Sequence, residues 1–149
     1  MNLSLIGKKA LVSGSSQGIG KAIAIELADL GASCILLARN EEFLQQTVSE
    51  LHVAEGQSHE YHVIDFNDTD ALKNLIKDIT GKTDIDILIN NTGGPAAGLI
   101  IDSESDAFEH AFRQHLSCNH ILTQHVVPGM KKNGFGRIIN VISTSVRIP

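Results

Sequence analysis

Short runs of apolar residues alternate with segments of helical periodicity along the chain, and this alternation limits the fold more than any other feature. Each run is six or seven residues long, the length of a buried strand. Between the runs, apolar side chains recur at steps of three and four, as Ile19, Ile23 and Leu27 do. Strands are expected at about residues 8–13, 33–38, 60–66, 85–91 and 137–142, and helices at about 18–30, 41–54, 69–80 and 104–132.

The strands read as apolar on both faces, so the sheet needs helices on both sides. Alternating strands and helices provide this when the strands are parallel and the crossovers right-handed. The expected fold is α/β, a doubly wound parallel sheet of Rossmann type with strand order 3-2-1-4-5. No linker or repeat interrupts residues 1–149, which are therefore expected to form a single domain.

Composition excludes several functional classes. The chain is 42% hydrophobic, which argues against disorder, and its net charge of −5 comes without any basic stripe for nucleic acid. The N-terminus lacks a signal-peptide layout, and no apolar run approaches membrane-spanning length. Cys34 and Cys118 lie in apolar segments without metal or redox spacing. We expect a soluble cytoplasmic protein without nucleic-acid or membrane partners.

A glycine-rich turn, "GSSQGIG", joins the first strand to the first helix. Glycine allows a sharp turn and a close approach by pyrophosphate, while the helix N-terminus offers free N–H groups and partial positive charge. The position after a strand and before a helix favours a dinucleotide site, although a turn without ligand remains the alternative. The predicted cofactor contacts in this turn are Gly14, Ser16, Gln17, Gly18, Ile19 and Gly20.

Four stretches in this order, "VSGSSQGIGKAIA", "VIDFND", "IDILINNTGG" and "GRIINVIS", resemble the short-chain dehydrogenase/reductase family. Ser13 stands where threonine is usual in that family and keeps the hydroxyl group. The resemblance covers the whole chain. Within the family, the chain is most similar in kind to members that resemble 3-oxoacyl-ACP reductases. It implies hydride transfer between a nicotinamide cofactor and a carbonyl or alcohol.

The residue after the second strand predicts which nucleotide binds. Arg39 stands there, with no carboxylate before Glu41, and an arginine accommodates a 2′-phosphate. NADP is therefore expected, with NAD possible, because Arg39 could also be a solvated loop cation. Gln17 occupies the position where many NADP-preferring members of the family carry a basic residue, which weakens the prediction.

The resemblance also implies contacts to the adenosine and nicotinamide halves. Asp65 matches the residue that accepts from the adenine amino group, and Phe66 can flank the ring; alternatively, Asp65 caps a turn. Asn91 and Gly93 would line the ribose. Thr92 replaces the usual alanine, close to the expected nicotinamide position.

The catalytic positions match the family only in part. Ser143 takes the place of the serine that holds the carbonyl oxygen, although neighbouring Thr144 and Ser145 leave the assignment open by a residue or two. His115 falls where the family has a relay asparagine, and Asn119 lies one helical turn further on. His115 could take part in catalysis or be a packed core histidine.

The Tyr-x-x-x-Lys pair of the family is absent from the 149 residues, since the only tyrosine, Tyr61, lies in the third strand. The domain is therefore expected to be truncated after strand five. Histidines recur every five residues from 110 to 125, but this spacing splays them around a helix, so no metal site is expected.

Two functions remain open from the sequence. The first is NADP-dependent reduction of a 3-oxoacyl thioester or ketone by a protein that forms a tetramer or dimer. The second is nucleotide binding without catalysis or with altered catalysis, because the departures at Thr92, Gly94–Pro95 and His115 cluster around the expected reaction centre.

Overall fold

The computed structural model describes residues 3–54, 56–94 and 98–143. Five strands alternate with helices along this part of the chain. The strands are β1 (Lys9–Ser13), β2 (Ser33–Ala38), β3 (Glu60–Val63), β4 (Ile87–Asn90) and β5 (Arg137–Asn140). The helices are α1 (Gly18–Asp29), α2 (Glu41–Glu50), α3 (Thr69–Lys82), α4 (Ser105–Phe112) and α5 (Cys118–Lys132), with a 3₁₀ turn at Ile100–Asp102 and a π-helical turn at Arg113–Ser117 between α4 and α5.

All described strand pairs are parallel, in the order β3-β2-β1-β4-β5, which confirms the predicted Rossmann-type topology. Strand β1 lies at the centre, with Leu11 beside Ile35 on β2 and Leu88 on β4. The chain order reverses at β1, so β1 and β4 open a crevice at their carboxyl ends.

Two apolar layers hold the helices against the sheet. One layer packs α3 and α5 over one face, around Leu72, Ile76 and Leu122. The other packs α1 and α2 over the opposite face, around Ala24, Ala28 and Leu44. The core is aliphatic, as the composition indicates, and it covers the sheet on both sides.

The two outer strands differ from the prediction that every strand is apolar on both faces. Strand β3 is half-buried at Tyr61 and His62, and all four residues of β5 are exposed. The prediction was wrong for these strands because each lies at an edge of the described sheet, where the helices cover less of it.

Two helix ends and the continuity of the last helix also differ from the sequence prediction. Helix α2 ends at Glu50 rather than near residue 54, and α3 continues through Gly81 to Lys82. Gly81 has no positive φ and so keeps helical geometry. The long final helix is interrupted by the π-helical turn, in which the backbone N–H of Cys118 donates to the carbonyl of Arg113, five residues back.

Both cysteines are buried among apolar side chains, in agreement with the sequence prediction. Burial raises the pKa of the Cys34 thiol to about 12 and that of the Cys118 thiol to about 11. The Sγ of Cys118 donates to the carbonyl of Phe66 at 3.1 Å. Both groups are therefore neutral thiols at ordinary pH.

We expect Ellman's reagent at pH 8 to leave both thiols unlabelled in the native chain, because the thiolate is the nucleophile and little of it forms. In 6 M guanidinium chloride (about the strength that unfolds most domains) both should react. The measurement is absorbance of the released thiolate. Rapid labelling of native Cys34 would contradict the burial described above.

Within the described residues, no helix combines the length and apolar character needed to cross a bilayer.

Candidate functional site

The glycine turn between β1 and α1 packs closely against the backbone on its inner side. Gly14 has a φ of 60°, and a Cβ there would collide with the backbone carbonyl of Asn91. A Cβ on Gly20 would collide with the carbonyl of Gly14. Gly18 has a φ of 57° but open space around its Cα among the described residues. The turn therefore packs closely on its inner side and is open on its outer side.

Helix α1 begins without a side-chain cap. Gln17 precedes it in an extended conformation, and its side chain accepts no capping hydrogen bond from the described residues. The first turn of α1 carries no acidic residue. Its N–H groups and partial positive charge therefore face the open side of the turn, an arrangement suited to an anion.

Two asparagine side chains at the end of β4 support this turn and the neighbouring strand. The Nδ2 of Asn91 donates to the carbonyl of Gly14 at 3.2 Å and lies 3.4 Å from that of Ser13. The Nδ2 of Asn90 donates to Oδ1 of Asn140 on β5 at 2.8 Å. Asn91 therefore fixes the turn on which the predicted cofactor site depends.

A cleft of about 400 Å³ lies above the turn. It brings together most of the predicted cofactor residues. Its lining comprises Gly14, Ser16, Gln17, Gly18, Ile19, Ala38, Arg39, Asn40, Phe43, Phe66, Asn91, Thr92 and Gly93. Gly20 lies beneath the turn instead of in the cleft wall, where its missing side chain permits the packing.

Ile19 and Phe43 occupy different surroundings from those that helical periodicity predicts. Ile19 is 61% exposed and Phe43 is 43% exposed, so neither belongs to the apolar face that its helix turns to the core. Both line the cleft. Phe43 was missed as a site residue because the sequence pattern groups it with Leu44, which is buried, and Val48, which is partly buried.

Arg39 and Asp65 differ in how they meet the cleft. Arg39 is exposed at its rim and forms no hydrogen bond or ion pair with residues of the described ranges. Asp65 does not line the cleft; its Oδ1 accepts from the backbone N–H of Asn67 at 2.9 Å and from its Nδ2 at 3.0 Å. That geometry favours the turn-capping alternative for Asp65, while adenine contact stays a prediction.

A second cleft, of about 840 Å³, adjoins the first. Ile19, Asn91 and Thr92 line both. The remaining wall comes from the ends of β4 and β5, the π-helical turn and α5, and consists of Asn90, Gly94, His115, Leu116, Asn119, His120, Thr123, Asn140, Val141, Ile142 and Ser143. The structure thus brings the two predicted catalytic residues, Ser143 and His115, to one cavity. Thr144 and Ser145 lie outside the described residues.

His115 lies in the π-helical turn and is half-buried. Its Nδ1 is 2.7 Å from the hydroxyl of Thr92, which also lies 3.4 Å from the carbonyl of Gln114. Asn119 shares the cavity, and its buried Oδ1 has no hydrogen-bond partner in the described part of the chain. In the sequence Thr92 is visible only as a departure from the family pattern, and nothing there indicates its contact with His115.

Two other histidines of the five-residue series make contacts within their own helices. His110 and His125 each place Nδ1 near the backbone carbonyl four residues earlier, of Asp106 and Ile121 respectively. In the described ranges, no three potential metal ligands gather. Tyr61 lies on edge strand β3, where its hydroxyl donates to Glu41 and accepts from Gln45.

Comparison with known proteins places this geometry among the short-chain oxidoreductases. The chain is 31% identical over 155 residues to a very-long-chain 3-oxoacyl-CoA reductase from Laccaria bicolor, covering 99% of the chain and 46% of the relative. It is 33% identical over 141 residues to the 3-oxoacyl-[acyl-carrier-protein] reductase FabG from Rickettsia bellii, covering 95% and 56% respectively. The chain thus spans about half the length of the curated relatives it matches.

Solved structures agree with the fold. An L-sorbose reductase from Gluconobacter frateurii, complexed with NADPH and L-sorbose, superposes with a TM-score of 0.91 at 28% identity, over 100% of this chain and 57% of that one. A 3-oxoacyl (acyl-carrier-protein) reductase from Agrobacterium tumefaciens with NADP bound gives 0.89 at 26% identity, over 99% and 57%. The short chain dehydrogenase model matches residues 8–149, and the chain belongs to that family.

Proposed function

We propose that this chain binds NADP(H) and serves hydride transfer between the nicotinamide and a carbonyl or alcohol substrate. The observation that carries the proposal is the uncapped N-terminus of α1, which opens into the cleft beside Arg39. Relatives of the same family have been solved with NADP or NADPH bound, which supports this choice of cofactor.

The cleft residues divide by chemistry. The N–H groups of Gly18 and Ile19 and the open face of Gly18 suit the pyrophosphate. Arg39 offers a fork of donors for a 2′-phosphate. The side chain of Phe66 offers an apolar wall to the adenine ring, with Asp65 as the proposed partner of its amino group.

The second cleft holds the proposed chemistry. Asn91 and Gly93 would line the ribose near the junction of the two clefts. The bound cofactor supplies the hydride. Ser143 would donate to the substrate oxygen on which negative charge develops. His115, which lines the same cleft from the π-helical turn, would take part in the reaction. Reduction of a carbonyl also adds a proton to its oxygen, which requires a general acid within hydrogen-bond reach.

The names of the relatives support a proposal for the substrate class. The Laccaria relative is named a 3-oxoacyl-CoA reductase and the Rickettsia relative a 3-oxoacyl-[acyl-carrier-protein] reductase, while the Gluconobacter relative is named for L-sorbose. We propose a 3-oxoacyl thioester or ketone as substrate, a homo-oligomeric assembly and a cytoplasmic location. The identity of about one residue in three to these relatives supports the reaction class more than the particular substrate.

The substitution Arg39→Ala tests the choice of nucleotide. We expect the Kd for NADPH to rise about 10- to 100-fold, since charge-assisted hydrogen bonds contribute about 1.5–3 kcal/mol. The Kd for NADH should change less than about threefold, because NADH lacks the 2′-phosphate. The measurement is quenching or enhancement of nicotinamide fluorescence on titration.

Arg137→Ala is the matched control for this experiment. Arg137 is an exposed arginine at the start of β5, where its guanidinium lies 4.7 Å from the ring centroid of Phe135. The substitution removes the same charge at the start of the edge strand β5, outside the lining of the cofactor cleft, and NADPH affinity should stay within about twofold. Equal losses for NADPH and NADH in Arg39→Ala would contradict the assignment of Arg39 to the 2′-phosphate.

A second function, nucleotide binding without turnover, is favoured by one observation. The histidine and threonine that depart from the family pattern contact each other at the proposed reaction centre. NADPH binding together with no NADPH oxidation on a panel of ketones and 3-oxoacyl thioesters would support this alternative. Turnover on any of them would exclude it.

A further inference from the structure

The contact between Thr92 and His115 joins two parts of the chain that are 23 residues apart. The Thr92 hydroxyl lies 2.7 Å from Nδ1 of His115 and 3.4 Å from the carbonyl oxygen of Gln114. A hydroxyl has one hydrogen to donate and can accept as well. It can therefore meet Nδ1 as a donor or as an acceptor, depending on where its hydrogen points.

The distances favour one arrangement for the neutral ring. At 2.7 Å the hydroxyl is at the usual distance for a strong hydrogen bond, whereas 3.4 Å to Gln114 is long. If the hydroxyl hydrogen takes the shorter contact, Nδ1 accepts it and is the unprotonated nitrogen. The ring proton is then on Nε2, which has no partner among the described residues.

The protonated ring can keep the same contact. When Nε2–H stays in place and Nδ1 gains a proton, Nδ1–H donates to the Thr92 oxygen. The hydroxyl hydrogen then rotates towards the Gln114 carbonyl, which is already in range. In both states the Nε2 of His115 carries a hydrogen. The ring is thus a hydrogen-bond donor in both protonation states.

We propose that Thr92 is a positioning residue that fixes His115 as an Nε2–H donor to a carbonyl oxygen of the substrate in the second cleft. His115 lines this cleft together with Ser143, so two donors would meet one oxygen-bearing substrate. This inference rests on the proposed function for the identity of the ligand. The protonation pattern of the ring does not depend on it.

Thr92 is the side chain in this cleft that contacts a ring nitrogen of His115. The second cleft is lined from the start of α1, the end of β4, the π-helical turn, α5 and the end of β5. Among these lining residues only His115 and His120 are titratable, and none is a carboxylate or an arginine. No acidic partner in this lining competes for the ring nitrogens. The hydroxyl of Thr92 therefore decides which nitrogen carries the hydrogen.

Three other histidines supply internal standards for the test. The Nδ1 of His59 accepts from the backbone N–H of Cys34 at 3.1 Å, so its neutral ring carries hydrogen on Nε2. His110 and His125 each place Nδ1 beside a carbonyl, which can only accept, so their neutral rings carry hydrogen on Nδ1. Both tautomers are therefore expected in the same spectrum.

The experiment is two-dimensional NMR of the full 149-residue chain with ¹⁵N-labelled histidine, above the pH at which the rings protonate. We expect the ring-nitrogen shifts of His115 to follow those of His59. If they follow those of His110 and His125, the proposal is overturned. This result needs no variant and no ligand.

Thr92→Val removes the hydroxyl at nearly constant volume, and Thr92→Ser retains it. We expect the valine variant to move the tautomer ratio of His115 about fivefold towards Nδ1–H, the change that a hydrogen bond of about 1 kcal/mol produces. The serine variant should restore the wild-type ratio. An unchanged ratio in the valine variant would show that Thr92 does not set the tautomer, and the wild-type spectrum decides if that variant does not fold.

The ligand is tested with acetoacetyl-coenzyme A as the probe in the presence of saturating NADP⁺. We expect a change in the Nε2 shift of His115 that is lost in Thr92→Val. No change at His115 despite NADP⁺ binding overturns the donor assignment while leaving the proposed cofactor intact. Absence of NADP⁺ binding instead overturns the proposed function, and the tautomer result stands separately.

Discussion

Replacing Gly20 by alanine is expected to lower the free energy of unfolding by about 2 kcal/mol and to weaken NADPH binding at the same time. Alanine favours a helix over glycine by about 1 kcal/mol, so propensity alone predicts a gain. The new Cβ would collide with the backbone carbonyl of Gly14, which a rotamer change cannot relieve. Overpacking of this kind costs about 1–3 kcal/mol or more, and here the clash outweighs the propensity.

Urea unfolding measures the first effect and nicotinamide fluorescence the second. Gly81→Ala provides the matched control, since Gly81 also lies within a helix, has no positive φ and has open space where its Cβ would go among the described residues. We expect this variant to be more stable by about 0.5–1 kcal/mol. Changes of the same sign in the two variants would mean that the contact between Gly20 and Gly14 does not govern the turn.

Leu11→Ala is expected to destabilise the fold by about 2–5 kcal/mol, the range for a fully buried leucine that leaves a cavity. Leu11 is fully buried at the centre of β1, beside Ile35 and Leu88. Because both neighbouring strands and the covering helices are fixed by their own packing, the space left cannot close easily. The free energy of unfolding from urea titration measures the effect.

Val53→Ala is the control for this second prediction. Val53 is an exposed aliphatic residue in the segment after α2, and its truncation should change stability by less than about 0.5 kcal/mol. A loss below about 1 kcal/mol for Leu11→Ala would contradict the central place of β1 in the core. So small a loss would mean that the surrounding side chains move into the space left by Leu11 and that β1 is not rigidly packed.

The sequence predicts the fold where local pattern and tertiary burial agree. Strand β2 lies at the predicted residues because the run from Ser33 to Ala38 is apolar and buried throughout. The pattern overstates β3, whose Tyr61 and His62 are half-buried, because an edge position is a property of strand order. The π-helical turn has no signature in "RQHLS", since the register of hydrogen bonds depends on packing.

The site divides in the same way. The glycine turn could be predicted because its requirements are local: a strand, a turn with positive φ and a helix start within a few residues. The contact of Thr92 with His115 could not, because it depends on how the end of β4 meets the helical segment 23 residues later. The proposed contact of Arg39 with a 2′-phosphate follows from its place after β2 and stays a prediction.

The π-helical turn carries a consequence for chain length. A π turn accommodates one residue more than an α-helical turn over the same rise, so it acts as a single-residue insertion that shifts the helical phase by about 100°. Residues of α5 keep their buried face at Cys118, Leu122 and Val126. Deleting one residue between 113 and 117 would return this turn to α-helical geometry and leave the faces of α4 and α5 in place, so a relative shorter by one residue here would carry one continuous helix at the same position.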